Sequence, residues 1–168
     1  SSGGNNTAIG MGALFSNTTA SNNVGIGLQS AYYNTTGTSL VAIGVQSMIS
    51  NLSGSYNTAI GGVDAATYGT MNNNSTGSYN TAVGTAALAK NTTADTNNAV
   101  GYQAAYNNTT GSLDVLGYQA GYSNTIGIYN VAMGYKALYA NSTGSYNTAI
   151  GQLSLQANTT ASNNTAVG

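Results

Sequence analysis

The chain contains no cysteine, histidine, arginine, glutamate, tryptophan or proline, and its 168 residues carry only five charges: Asp64, Asp95, Asp114, Lys90 and Lys136. Each gap removes a class of function. Without cysteine there is neither a disulfide framework nor a thiolate metal site. Without His, Cys or Glu the common general bases and nucleophiles are missing, and three aspartates far apart in the chain make no catalytic pair, so no enzyme is expected. A net charge of −1 with two lysines gives no means of neutralising a phosphate backbone, so nucleic acid is not an expected partner. No run of about 18 apolar residues occurs, and membrane insertion is not expected. No cofactor is expected either: no GK[ST] follows the glycines, and the Gly-Gly-x-Gly-x-Asp nonapeptide of calcium-binding rolls does not occur. The five charges read as solvated or solubilising groups. There is no signal peptide or initiator Met, and the first and last residues fall inside a repeat, as expected of a segment of a longer chain.

What is present is repetition. A glycine closing an AIG-like triplet recurs at Gly10, Gly27, Gly44, Gly61, Gly84, Gly101, Gly117, Gly134, Gly151 and Gly168, with a spacing of 17 residues in seven of nine intervals. The residue before it is always aliphatic: Ile9, Ile26, Ile43, Ile60, Val83, Val100, Leu116, Met133, Ile150 and Val167. One position earlier stands a mostly small residue, with alanine at Ala8, Ala42, Ala59, Ala82, Ala99, Ala132, Ala149 and Ala166. Seven positions after the glycine comes asparagine, at Asn17, Asn34, Asn51, Asn91, Asn108, Asn124, Asn141 and Asn158, and at Asn74 once the six extra residues of the long interval are removed. The idealised unit is NTAIGYQALYxNTTGSY.

Seventeen residues are too few for a helical-hairpin repeat, which needs roughly 33–45. They suit one coil of a parallel β-solenoid, or β-roll. The expectation is an all-β single domain over residues 1–168, with about ten coils and two short strands per coil, NTAI and YQAL. The marker glycine supplies one corner and NTTGS the other. Stacking sets each residue about 4.8 Å above its counterpart, so identical residues meet. The aliphatic column is expected inside as the core stack, and the asparagines as an amide ladder. The alanine column is expected to form a flat strip where another copy of the chain packs, most simply three together. The 23-residue interval is expected to bulge as a corner loop near 67–72, and the 16-residue interval to lose a residue between corner and strand.

The NTAIG and NTAVG motifs, spaced by a Gly- and Ala-containing second segment, resemble the head repeats of trimeric autotransporter adhesins. They resemble still more the NTAxGYxALYxNTTGS arrays of bacterial and phage tail-fibre-like proteins. The resemblance covers essentially the whole chain, although the adhesin unit is a few residues shorter. It implies a left-handed roll, threefold assembly, and a place outside the cell, on its surface or on a virion tail fibre. The function expected is a structural fibre or adhesin segment that self-associates and displays a surface to a receptor.

Two columns admit further readings. Asn17, Asn34, Asn51, Asn74, Asn91, Asn108, Asn141 and Asn158 each open an N-x-S/T sequon, so they are candidates for glycan attachment; the alternative is that corners simply favour Asn followed by Thr. The tyrosines, 13 in all, fall in columns such as Tyr56, Tyr79, Tyr129 and Tyr146, or Tyr102, Tyr118 and Tyr135, which suit either sugar stacking or the cover of a thin core. An ice- or carbohydrate-binding solenoid is the alternative function. It is disfavoured because Thr pairs such as Thr35–Thr36 are adjacent, and neighbouring strand residues face opposite sides.

Overall fold

A computed structural model describes residues 3–63 and 68–168. The chain is a parallel β-solenoid. Its strands are β1 Thr7–Ile9, β2 Val24–Ile26, β3 Val41–Ile43, β4 Thr58–Ile60, β5 Thr81–Val83, β6 Asn98–Val100, β7 Leu113–Leu116, β8 Asn130–Met133, β9 Thr148–Ile150 and β10 Thr165–Val167. They form one ten-stranded sheet in chain order. The register is the one the repeat demands: Ala42 lies beside Ala59 and Ile43 beside Ile60. Bonds such as Gly61 N–H to Ile43 O and Thr58 N–H to Asn80 O, each 2.8 Å, run along the stack.

Each coil contributes one strand among the described residues, not two. The YQAL segment expected as the second strand is a tight turn in which alternate residues are left-handed, as at Gln46 (φ 54°) and Met48 (φ 51°) or Lys136 (φ 51°) and Leu138 (φ 52°). A non-glycine residue in this region costs roughly 1–2 kcal/mol. Axial hydrogen bonds such as Ala31 N–H to Ser47 O (2.9 Å) and Leu88 N–H to Ala104 O (3.0 Å) offset that cost. The fold also pins the segment to the sheet: the hydroxyls of Ser30 and Ser47 donate to Ala42 O and Ala59 O in the strand that follows, at 2.6 and 3.0 Å.

The inside and outside of the sheet are the reverse of the sequence expectation. The alanine column is the inner wall: Ala42, Ala59, Ala82, Ala99, Ala132 and Ala149 are fully buried, and only Ala8 and Ala166 on the terminal coils are not. It is therefore not an inter-chain packing strip. The aliphatic column faces out: Ile9, Ile60, Val100, Leu116, Met133, Ile150 and Val167 are exposed, while Ile26, Ile43 and Val83 are half-buried. The reason is volume. Most of the turns point a large side chain inward, among them Leu14, Met48, Met71, Leu88 and Leu138, and where the turn carries Gly121 the interior is filled by Leu113 and Val115 instead. Little more than a methyl fits under the large turn side chains, because interiors pack to crystal-like density. Where β2 carries Gly25, even an added Cβ would lie 3.0 Å from Leu14 Cγ.

The irregular coils keep the register. In the 16-residue interval Val115 replaces alanine and pairs with Ala99, and the lost residue falls before β7, at the corner. In the long interval Thr70, Met71 and Asn72 are ordinary members of the stack: Met48 N–H donates to Thr70 O (2.9 Å), Ser50 N–H to Asn72 O (3.1 Å) and Met71 N–H to Ala87 O (2.9 Å). Residues 70–72 of the loop expected near 67–72 therefore belong to the stack. Asp64 and Thr67 lie outside the described residues.

Candidate functional site

The corner asparagines form a continuous internal ladder. Asn51 Nδ2 donates to Asn34 Oδ1 at 2.8 Å and to Gly54 O at 3.0 Å. Asn74 Nδ2 repeats the pattern with Asn51 Oδ1 and Gly77 O, and Asn91 Nδ2 with Asn74 Oδ1 and Ala94 O. The ladder runs on through Asn108, Asn124, Asn141 and Asn158. Asn34, Asn51, Asn74, Asn91, Asn108 and Asn141 are wholly buried. N-linked sugar would replace a hydrogen on Nδ2 and needs open space around it. In these six the atom donates to two protein oxygens inside the corner, so they are not glycan acceptors in the folded chain. Asn158, half-buried in the last coil, spends Nδ2 in the same way, and Asn17 at the other end donates to Ala20 O (3.0 Å).

A second amide ladder was legible in the sequence and overlooked there. The asparagine that opens NTAIG recurs as Asn6, Asn23, Asn57, Asn80, Asn97, Asn130, Asn147 and Asn164, with the spacing that marked the first column. Asn80 Oδ1 accepts from the backbone N–H of Asn97 at 2.9 Å, and Asn80 Nδ2 donates to Ala94 O at 2.8 Å. Between them the ladders satisfy the interior: no buried side-chain nitrogen or oxygen lacks a partner among the described residues.

Hydroxyls at the corner divide into two sets. The first of the Thr pairs at Thr18, Thr35, Thr92 and Thr109 donates to the next coil, as Thr35 Oγ1 does to Leu52 O (2.9 Å) and Thr109 Oγ1 to Thr125 O (3.0 Å). The second, at Thr36 and Thr110, is exposed. The aromatic columns stack on themselves: Tyr56 on Tyr79 with centroids 5.0 Å apart, Tyr102 on Tyr118 on Tyr135 at 5.2 and 5.3 Å, and Tyr106 on Tyr122 on Tyr139 at 5.2 Å. Stacking in register covers ring faces with other rings and leaves edges outward, a geometry that favours cover over sugar binding. Lys90 sits 5.1 Å from the Tyr106 centroid and Lys136 5.1 Å from that of Tyr139.

The two described aspartates act in the stack rather than together. Asp95 Oδ1 accepts from Ser78 N–H (2.6 Å) and Asp114 Oδ1 from Asn98 Nδ2 (2.7 Å), each bonding to the preceding coil. The outer side of the sheet is open to solvent. There the aliphatic column runs beside a second outward column that contains Val41, Thr58, Thr81 and Thr148. At β6–β8 this surface dips into a shallow depression of about 470 Å³ lined by Val100, Asp114, Leu116, Val131 and Met133. Comparison with protein-family models, with curated proteins and with solved structures finds no match to the chain.

Proposed function

We propose that this chain is a structural repeat segment of an extracellular fibre or adhesin, whose coils build a rod and whose rods self-associate to give reach and surface display. The observation that carries the reading is the buried corner ladder, which links every coil to the next from Asn17 to Asn158. Ten strands at about 4.8 Å spacing make a rod about 43 Å long, and each added unit extends it with the same bonds. Stiffness along one axis is what such an arrangement supplies, and no step of this role requires catalysis. The resemblance of the NTAIG units to adhesin heads and tail-fibre arrays supports the same role, with assembly into threes and a receptor as its partners.

Electron microscopy and fibre diffraction of the purified chain test the proposal. The expected result is rods or filaments with a meridional repeat near 4.8 Å. A chain that stays a 16.8 kDa monomer at every concentration would overturn it.

A further inference from the structure

We infer that the exposed hydroxyls of the NTTGS corner are acceptors for O-linked sugar, in one column along the rod. Three columns of Ser and Thr line this corner, and the structure gives two of them an internal task. The residue after the ladder asparagine donates to a carbonyl of the next coil, as Thr92 Oγ1 does to Thr109 O (3.1 Å). The residue four after the asparagine accepts from a backbone N–H of the preceding coil. Ser55 Oγ does so from Thr38 N–H (3.0 Å) and Ser145 Oγ from Ile128 N–H (3.1 Å). The residue two after the asparagine stands apart. At Thr36, Ser53, Thr76, Thr93, Thr110 and Thr143 it is exposed, and its hydroxyl has no hydrogen-bond partner among the described residues.

The fold does not require a hydroxyl there. The coil that carries Ile126 at this place closes in the same way. Asn124 Nδ2 donates to Gly127 O at 3.0 Å, as Asn34 Nδ2 does to Gly37 O at 2.9 Å. Ile126 N–H reaches Ser142 O at 3.4 Å, as Thr36 N–H reaches Leu52 O at 3.2 Å. Nor do these hydroxyls make the local backbone bond by which Ser and Thr favour turns. Yet eight of the nine corners carry Ser or Thr at this position. The residue after the marker glycine, in the same repeated unit, varies freely: Met11, Leu28, Val45, Tyr102 and Gln152 are all exposed there. A solvent-facing hydroxyl that recurs without an internal bond has its use outside the chain.

The composition points to sugar as that use. Soluble surfaces commonly carry charge on about 25–35% of positions, and a net charge near zero promotes precipitation. Here 3% of residues are charged and the net charge is −1. Sugar along one corner hydrates such a rod without charge. In the transfer, the hydroxyl oxygen bonds to the anomeric carbon of a nucleoside diphosphate sugar. The bond from that carbon to phosphate breaks, the nucleoside diphosphate leaves, and the hydroxyl proton passes to a base of the transferase. Folding comes first: in an unfolded chain the two threonines of a pair are alike, and sugar on the first would occupy the oxygen that bonds the next coil.

The test is mass spectrometry of chymotryptic peptides from the chain purified from the cells that make it. Spectra are taken before and after alkaline β-elimination, which removes O-linked sugar and leaves N-linked sugar in place. Corner peptides are expected to carry whole sugar units. Elimination should leave each acceptor lighter by one water, at Thr36, Thr93 or Thr110 and not at Thr35, Thr92 or Thr109. Thr93→Val should lose the sugar of its corner with the circular dichroism unchanged, and Thr93→Ser should retain it. Ile126→Thr should gain a sugar at a corner that has none. Unmodified corners, or sugar confined to the first threonines or to asparagines, overturn the proposal. The fibre reading is tested separately: an unmodified rod would leave it standing, and a sugar-bearing monomer would sink it while supporting this column.

Discussion

Both asparagine columns are buried and both donate along the stack, yet the corner column is unbroken from Asn17 to Asn158 while the other is interrupted by Leu40 and Leu113. The difference lies in who else can do the work. Gly77 O accepts from Asn57 Nδ2 at 2.7 Å and also from Asn74 Nδ2 at 2.9 Å, one from each column. When leucine replaces the first kind of asparagine, the carbonyl keeps its bond from the corner. At Leu113 the backbone N–H still reaches Asn97 Oδ1 (2.8 Å), and one coil on Asn130 N–H turns to Ser112 O at 3.4 Å. Both leucines are also packed into the apolar core, which offsets the lost amide. In the corner column the link from coil to coil is amide to amide, whereas in the second column the axial acceptor also takes a backbone N–H, as Asn57 Oδ1 does from Asn80 at 2.9 Å. A redundant polar group can be exchanged; a link in a chain of them cannot.

The largest effect is therefore expected from Asn74→Ala. It leaves Asn51 Oδ1 and Asn91 Nδ2 without their axial partner, and each buried group left unsatisfied costs about 1–3 kcal/mol. Denaturant unfolding should show a loss of ~2–5 kcal/mol, with hydrogen exchange accelerating first in the coils on either side. Asn57→Leu should cost less than half as much, because it copies a substitution the stack already contains; an equal loss would refute the redundancy argument. Thr109→Val removes one bond of the outer hydroxyl rail and is expected to cost ~0.5–1 kcal/mol, read from the same unfolding curve. Smallest is Ile60→Thr, which changes an outward side chain into one the neighbouring column already uses. Monomer stability should move by no more than about 0.5 kcal/mol, although the fully buried Ala59 is the next residue.

Much of the architecture was written in the spacing. The 17-residue period implies vertical stacking of equivalent residues, and the pairing of Ile43 with Ile60 follows from it directly. The corner ladder was readable for the same reason, and the NTAIG asparagine would have been had its column been tallied. The second strand was not readable as a turn, because YQAL has strand-like composition and its left-handed positions carry glycine only at Gly12 and Gly121, with residues such as Gln46 and Met48 elsewhere. The sequons misled because their Asn-Thr pattern serves the ladder and the hydroxyl rail, two internal uses that imitate an acceptor site.

By itself the sequence determined the coil length, the parallel stacking and the register, since one-dimensional repetition allows no other way for like to meet like. Only the tertiary structure decided which side of each strand is inside. Alternation separates two faces without ranking them, and the usual preference for burying the larger aliphatic gave the wrong side. The interior is so narrow that leucine and methionine reaching across from the opposite turn already fill it, which leaves the strand room for alanine and turns isoleucine and valine outward.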